Sequence, residues 1–355
     1  MKYTNILKLS TLVLMSLSSL FAQENIQINE VIITIPKVPE VPKVTAQVPK
    51  VIILDSNNND ISSEVVVDVH ESRKKRKVEF STNVAPQKYA LKRNTKSDDE
   101  SSVGEVKNGR VAAYLHSPLM SVEDATQRLQ EAGFEVLSTF KIDKKGSVTS
   151  VVFSNKTMKK AAAKKTRGFA GALRLVVDNK NKLVSISNPV YVMKAFMQKE
   201  YDAKLAEDTL KQIKSTFLEL KNSDEIVKFR VLERFRFMEN MPYYQDMKLI
   251  AKGKNKTLLK KAKKSKKVVY EQHLKNGSII VGVKLGKRTS KFVKKIGYQN
   301  AGLLPYPVLI ENGEAKIMAP QYYIAVMYPM LKMSQFMTIA TVPGAIIKDV
   351  DKVFR

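Results

Sequence analysis

The stretch "KGSVTSVVFSNKTMKKAAAKK", residues 145–165, has a counterpart in "NGSIIVGVKLGKRTSKFVKK", residues 276–295. When residues 146–191 are placed on residues 277–322 without a gap, 14 of the 46 positions are identical. Unrelated stretches would not share that many. The period of 131 residues is the size of a domain and too long for a solenoid repeat, so the sequence predicts two tandem copies of one unit.

Each copy begins with a predicted β-hairpin. In the first copy, two runs of alternating apolar residues flank a Lys-Lys-Gly turn at residues 144–146, and in the second they flank Asn276-Gly277. Asn-Gly indicates a tight turn because both residues tolerate a positive φ. A short lysine-rich helix follows in each copy, and then a second hairpin that turns at residues 179–181 or at Asn312-Gly313.

Helices are predicted between and beyond these hairpins. Pro189 and Pro320 each open a helix, because proline fits the first turn, where its missing N–H has no intrahelical partner. The segment "SVEDATQRLQEAG" has Ser121 as its N-cap and Gly133 as its end. Residues 200–222 have the apolar spacing of an amphipathic helix that closes the first unit or bridges to the second. The predicted fold is therefore α+β, with each repeat an antiparallel sheet that carries helices on one face.

These segments resemble the bacterial domain-of-unknown-function 302 family. The resemblance rests on "GFEVLSTFKID", "VVFSN", "ALRLVVDNKNKLVSISNP" and "YVMKAF", and it covers residues 109–197 and, more weakly, 241–354. It implies small α+β units that pair as dimers, so that two copies in one chain would pack as an internal pseudo-dimer. It implies no activity and no catalytic residues. The second copy departs at "GKNKTLLKKAKKSKK", which replaces an acidic helix start, so the two units need not bind the same partner.

The segment before the repeats predicts export. Residues 1–22 are typical of a cleaved signal peptide, with Lys2 and Lys8 near an apolar run that is too short for a transmembrane anchor. Residues 23–105 repeat a Pro-Lys-Val theme and contain polar tracts, which predicts a disordered arm. The first repeat with its closing helix then covers residues 106–222, and the second covers 223–355. We expect a periplasmic location.

The chain is strongly basic and contains no cysteine. Its 61 Lys and Arg against 34 Asp and Glu give a formal net charge of +27, which attracts polyanions and anionic surfaces. The absence of cysteine excludes disulfides and thiolate metal sites. The basic cluster Arg73–Lys77 in the arm is either a solvated charge run or a contact for an anionic envelope surface.

Two rows of lysines form the first candidate site, for an anion. On a helix, a spacing of four residues places lysines on one face, where they repel one another unless an anion binds. The alternative is a solvated face opposite the apolar Met158 and its neighbouring alanines. Residues 248–267 add a denser patch without an interleaved aromatic residue, which argues against nucleic acid as the partner. The two rows are Lys156, Lys160, Lys164, Lys287, Lys291 and Lys295.

An apolar C-terminal stretch, residues 317–350, offers the second candidate site. Its aromatic and thioether side chains would fill the core or line a ligand pocket between the repeats. Thioethers also suit Cu(I), but helical spacing favours core filling, so we expect no metal site. The methionines concerned are Met318, Met327, Met330, Met333 and Met337. The pocket hypothesis rests on Tyr306, Tyr322, Tyr323, Tyr328 and Met330.

The sequence contains no recognisable catalytic motif. His70, His116 and His273 are not spaced as metal ligands, and no phosphate loop or nucleophile elbow occurs. We therefore predict an exported, non-catalytic envelope protein that uses no cofactor and binds an anionic lipid or cell-wall polymer through its lysine rows. The alternative is a binder of small molecules or apolar ligands, or an enzyme of unrecognised type, with a pocket between the repeats.

Overall fold

The computed structural model describes residues 102–355, which belong to one compact unit. The predicted signal peptide, the arm up to residue 101, His70 and the cluster Arg73–Lys77 lie outside the described residues. The strands are β1 (Arg110–Ala112), β2 (Tyr114–Pro118), β3 (Glu135–Lys141), β4 (Val148–Ser154), β5 (Leu173–Asp178), β6 (Leu183–Ser187), β7 (Lys221–Asn222), β8 (Ile226–Lys228), β9 (Lys248–Lys252), β10 (Val268–His273), β11 (Ile279–Val283), β12 (Tyr306–Glu311) and β13 (Glu314–Ile317). The helices are α1 (Val122–Glu131), α2 (Lys156–Ala162), α3 (Pro189–Met197), α4 (Ala203–Thr216), α5 (Asn255–Lys264), α6 (Val293–Ile296), α7 (Pro320–Met327), α8 (Met333–Met337) and α9 (Val342–Asp351).

The predicted α+β class is confirmed. Sheet 1 has the strand order β3-β4-β5-β6-β2-β7, sheet 2 has the order β10-β11-β12-β13-β9, and β1 pairs with β8 in a small separate sheet. All pairings between these strands are antiparallel. Apart from β7, the two sheets have the same arrangement. The strand that comes first in sequence, β2 or β9, lies at one end of the strand order, and the four following strands lie beside it in reverse chain order.

The predicted hairpins and helix starts are also confirmed. Asn312 and Gly313 have φ values of 51° and 77° and join β12 to β13 through a two-residue turn. The hydroxyl of Ser121 accepts the N–H of Asp124 and caps α1. Pro189 and Pro320 occupy the first turns of α3 and α7.

The predicted helix over residues 200–222 is shorter than expected. Helix α4 ends at Thr216, and the chain then turns so that Lys221 and Asn222 pair with β2 as strand β7. Phe217 and Leu220 remain buried although they lie beyond the helix. The apolar spacing identified the buried positions correctly, but it did not reveal the strand pairing that ends the helix.

The two sheets face each other across a polar and apolar seam. Nη2 of Arg174 on β5 donates to the hydroxyl of Tyr270 on β10 at 3.2 Å. Nε2 of Gln272, also on β10, donates to the hydroxyl of Ser154 on β4 at 2.9 Å. The opposite faces carry helices, since α1 contacts β3 and β4 while α5 contacts β12 and β13.

Two 3-10 turns and two helices complete the seam. The turn Gly168–Gly171 packs on β11 and β12, and the turn Ala301–Leu303 packs on β4 and β5. The hydroxyl of Tyr191 on α3 donates to the carbonyl of Val326 on α7 at 2.6 Å. In return, the hydroxyl of Tyr322 on α7 donates to the carbonyl of Ala195 on α3 at 3.4 Å. These carbonyls lie in last helical turns, where they lack an intrahelical partner.

The hydrophobic core is continuous through the described unit and includes Val103, which is 2 % exposed. The packed region therefore starts upstream of residue 106, where we had placed the start of the first repeat. Within residues 102–355, no helix combines the length and the apolar character needed to cross a membrane.

Candidate anion-binding surface

The densest charge of the described surface lies in residues 248–267, which we call the lysine patch. The patch contains ten lysines and no Asp or Glu. It consists of β9, α5 and the turn that leads into β10. Nine of the ten lysines are exposed and Lys267 is half-buried. Such a segment presents a positive surface because no acidic residue of its own is present to offset the ammonium groups.

Helix α5 displays its lysines because its apolar residues lie on the opposite side. Leu258 and Ala262 are buried and spaced by four residues, which orients the helix on sheet 2. The side chain of Asn255 fixes the helix start, since it donates to the carbonyl of Gly277 at 3.1 Å and accepts the N–H of Gly313 at 2.9 Å. The patch is therefore presented by a positioned element of secondary structure.

Two lysines of the patch contact a carboxylate among residues 102–355. Nζ of Lys252 lies 4.0 Å from a carboxylate oxygen of Glu314, and Nζ of Lys263 lies 3.1 Å from one of Glu271. Pairs this exposed contribute little to stability. The other eight lysines have no carboxylate partner in the described part of the chain, so the field above the patch is positive and extends about 8 Å at physiological salt.

Strand β9 is an edge strand with one unpaired side. Lys248 and Lys252, at its two ends, are both exposed. Lysines on an edge strand oppose the addition of another strand, so part of the patch also protects this edge.

The two predicted lysine rows are exposed, but neither lies along a single helix. Helix α2 ends at Ala162, so Lys164 follows the helix and does not continue the face of Lys156 and Lys160. The second row runs through a loop, a 3-10 turn and the short α6, and Nζ of Lys295 donates to the carbonyl of Thr338 at 2.9 Å. The expectation of one continuous helical face was wrong in both copies.

The physical reason for the early end of α2 is tertiary. The N–H of Thr166 donates to both carboxylate oxygens of Glu311 at the end of β12, at 3.2 and 3.0 Å. Thr166 has a φ of 60°, which is incompatible with a continuing right-handed helix. The hydrogen bonds to Glu311 therefore hold the loop after α2 against sheet 2, and the helix does not continue through Thr166.

The structure does not bring the five predicted pocket residues together. Tyr306, Tyr322, Tyr323 and Tyr328 are fully buried core residues, whereas the side chain of Met330 is 55 % exposed. The hydroxyls of Tyr306 and Tyr328 donate to the carbonyls of Met318 and Gly297. The four tyrosines fill the interior, and three of them donate to backbone carbonyls, so they do not form an open pocket.

The methionines were only partly predicted correctly. Met318 and Met327 are buried core residues, whereas Met330, Met333 and Met337 are exposed, which contradicts core filling for these three. Within residues 102–355, no group of three or more His, Asp or Glu side chains is placed to hold a metal.

A groove of about 400 Å³ lies elsewhere, between α3, α4 and the 3-10 turn Phe229–Arg234. Tyr201 and Phe229 contact edge to face in its wall, with ring centres 5.6 Å apart. Nζ of Lys194 lies 5.2 Å from the centre of the Tyr201 ring. Leu210 and Lys211 also line the groove. Its size falls within the range of small-molecule sites.

Two titratable groups, one on β2 and one between β7 and β8, have shifted pKa values. Burial lowers the pKa of His116 below its usual 6.5, and the charge of Asp224 opposes this shift. Burial raises the pKa of Glu225, whose carboxylate accepts the N–H of Met330 at 2.9 Å. The carboxylate of Glu225 therefore holds the loop that carries the exposed Met330.

One residue of chemical interest was missed from the sequence. Arg174 is 4 % exposed and lies in the seam between the sheets. Its position within the apolar run "LRLVVD", residues 173–178, was the available indication, because a cation in the middle of a buried strand needs a partner.

Comparisons with family models, with curated proteins and with solved structures found no match to this chain.

Proposed function

We propose that this chain is an exported, non-catalytic protein of the bacterial envelope that binds an anionic lipid surface or cell-wall polymer. The lysine patch carries the proposal, because eight of its ten lysines have no carboxylate partner within residues 102–355. The two lysine rows add six exposed cations to the same chain. An anionic surface would relieve the repulsion between these ammonium groups and release bound counterions on contact.

The molecule would bind its anionic partner through one side, because the corresponding helices α1 and α5 differ in charge. Helix α1 has Glu123 and Asp124 in its first turn, whereas α5 has no acidic residue and ends in three lysines. The side of the molecule that carries α5 would therefore face the anionic partner.

We further propose that the two sheets and their helices descend from one duplicated unit and pack as an internal pseudo-dimer. Three observations support this. The sequences align at an offset of 131 residues, and apart from β7 the two sheets share one strand order. The same offset relates Tyr191 to Tyr322 and Ala195 to Val326, so an approximate two-fold axis would exchange the two tyrosine hydrogen bonds.

The central experiment measures binding of the mature chain to vesicles of phosphatidylglycerol and of phosphatidylcholine, and to purified cell-wall polymer, at low and moderate salt. We expect binding to anionic targets only, and we expect it to weaken steeply as salt rises. Changing Lys256, Lys260, Lys261 and Lys264 to Gln should weaken vesicle binding by roughly tenfold or more.

The matched control changes four exposed lysines outside the patch to Gln, namely Lys141, Lys144 and Lys145 at the β3–β4 hairpin and Lys199 between α3 and α4. Both variants lose the same formal charge. Equal loss of binding in the two variants would show that net charge alone is responsible and would contradict a localised patch. The triple variants K156Q/K160Q/K164Q and K287Q/K291Q/K295Q test the rows separately.

A second function, binding of a small apolar molecule, is supported by the groove beside Tyr201 and Phe229. Native mass spectrometry of protein purified from the periplasm would detect a retained ligand. We expect such retention to be insensitive to salt and to be lost in Phe229→Ala, while the patch variant retains it. Detection of no bound mass in the wild-type chain would reject this candidate.

A further inference from the structure

Arg174 is a buried cation without a carboxylate partner in the described part of the chain. Its Nη1 donates to the carbonyl of Ala172 at 3.3 Å, and its Nη2 donates to the hydroxyl of Tyr270 at 3.2 Å. Its Nε is buried and has no partner among residues 102–355. A guanidinium that is removed from water needs an opposite charge or a full set of acceptors to offset its lost hydration.

Polar side chains lie on the same face of sheet 1 as Arg174. Strand register places Ser150 beside Val176, and Ser185 also lies opposite Val176 from the other side. The side chains of Arg174 and Ser187 both lie next to Gly302. A Cβ added to Gly302 would be 3.3 Å from Cβ of Arg174 and 4.0 Å from the hydroxyl oxygen of Ser187. The side-chain hydroxyls of all three serines are buried without a partner in the described residues.

A further donor comes from sheet 2's side of the seam. The hydroxyl of Tyr323 on α7 is buried and unpartnered within residues 102–355. The hydroxyl groups of Tyr323, Tyr270 and Tyr114 all affect the pKa of Arg174. Burial raises the pKa of Tyr323 to about 12, so its phenol is neutral and can donate. Burial alone would lower the pKa of Arg174, but electrostatic interactions with Tyr323, Tyr270 and Tyr114 raise it overall, so the guanidinium is charged.

We propose that Arg174 binds a small oxyanion in the seam between the two sheets, with the hydroxyls of Tyr323 and Ser187 as additional donors. Guanidinium groups bind carboxylate, phosphate and sulfate oxygens through paired N–H donors, and Nε is the donor left free for this purpose. The ligand is a short carboxylate or an inorganic oxyanion. The site is independent of the exposed lysine patch, so either proposal can fail without the other.

The test follows thermal unfolding of the mature chain in phosphate, sulfate or acetate, against chloride at constant ionic strength. We expect one oxyanion to raise the unfolding midpoint saturably, by about 5–10 °C at a hundredfold excess over its dissociation constant. Arg174→Met should abolish this response. Tyr323→Phe should raise the half-saturating concentration by roughly tenfold, because one hydrogen bond to a charged ligand is lost.

Lys256→Gln serves as the control, since it removes a surface cation and should leave the saturable response unchanged. A saturable response that persists in Arg174→Met would overturn the proposal. A wild-type chain that shows no saturable response to any of the three oxyanions would also overturn it, and a greater stability of Arg174→Met would then identify an uncompensated buried charge. If Arg174→Met does not fold, the Tyr323→Phe titration is decisive, and an unchanged half-saturating concentration rejects the site.

Discussion

Tyr191 and Tyr322 make corresponding hydrogen bonds across the seam, but the two bonds differ in strength. The bond from Tyr191 to Val326 measures 2.6 Å, whereas the bond from Tyr322 to Ala195 measures 3.4 Å. The carbonyl of Ala195 also accepts from the side chain of Gln198, so it keeps a partner if Tyr322 loses its hydroxyl.

We therefore expect Tyr191→Phe to lower the free energy of unfolding by about 1–2 kcal/mol and Tyr322→Phe to lower it by less. Urea denaturation of both variants measures the difference. A larger loss in Tyr322→Phe would contradict the assignment of the shorter bond as the stronger one.

Gly282 leaves space that the ring of Tyr270 occupies. A Cβ at this position would lie 2.1 Å from Cε1 of Tyr270, the tyrosine that accepts from Arg174. Gly282→Ala should displace the ring and lower the free energy of unfolding by about 1–3 kcal/mol. Chemical denaturation measures this loss, and Gly344→Ala is the control because open space surrounds that glycine. Equal stability of Gly282→Ala and wild type would mean that the ring moves freely.

His116 gives the fold a pH dependence on the acidic side of neutrality. Its folded-state pKa lies below the unfolded value near 6.5, so the unfolded chain binds more protons as the pH falls through this window. The contribution of His116 to stability is therefore present at neutral pH and is lost as the pH drops below 6.5 towards the folded-state pKa. Urea denaturation of wild type and His116→Gln between pH 5 and 7.5 should show a smaller pH slope in the variant, and parallel slopes would reject the role of this residue.

At the scale of elements, helix α5 combines a structural cost with the proposed function. Lys256, Lys260 and Lys264 follow one another at four-residue spacing, so each neighbouring pair repels by a few tenths of a kcal/mol. Lys260→Glu replaces two repulsions with two attractions.

We expect Lys260→Glu to raise the free energy of unfolding by about 0.5–1 kcal/mol and to weaken binding to phosphatidylglycerol vesicles. Urea denaturation and vesicle co-sedimentation measure the two effects on the same preparation. Lys260→Gln provides the neutral comparison. If Lys260→Glu gains stability and binds vesicles as well as wild type does, α5 is not part of the binding surface.

Local rules predicted the elements that depend on local chemistry. The cap at Ser121, the prolines of α3 and α7 and the Asn312-Gly313 turn are each determined within four residues of chain. The sequence did not reveal β7 pairing with β2, or Glu311 capturing the N–H of Thr166, since these bonds join residues about 105 and 145 positions apart. The exposed lysines of the patch were predictable from composition. The environment of Arg174 was not, because its partner Tyr270 is 96 residues away in sequence and lies on the other sheet.

At the scale of the whole molecule, the packed unit of residues 102–355 carries 47 Lys and Arg against 22 Asp and Glu, a formal charge of +25 that should make stability depend on salt. Folding gathers these cations into a smaller volume, and dissolved ions screen their repulsion. The thermal midpoint should rise by a few degrees between about 10 and 150 mM sodium chloride. Differential scanning calorimetry of wild type and of the four-lysine patch variant tests this, with a smaller rise expected in the variant. A midpoint that falls with salt would indicate that favourable ion pairs dominate.

Pro305 stands 131 residues after Arg174, so under the proposed duplication the second copy has no arginine at the matching position. In an assembly of identical subunits, any residue near the axis is encoded once and appears twice, and two arginines brought together there would repel each other. In the duplicated arrangement that we propose, both halves belong to one polypeptide, so a residue on one side can change without its counterpart. A duplicated chain can therefore carry a single arginine between its two halves, whereas a symmetric homodimer would carry two.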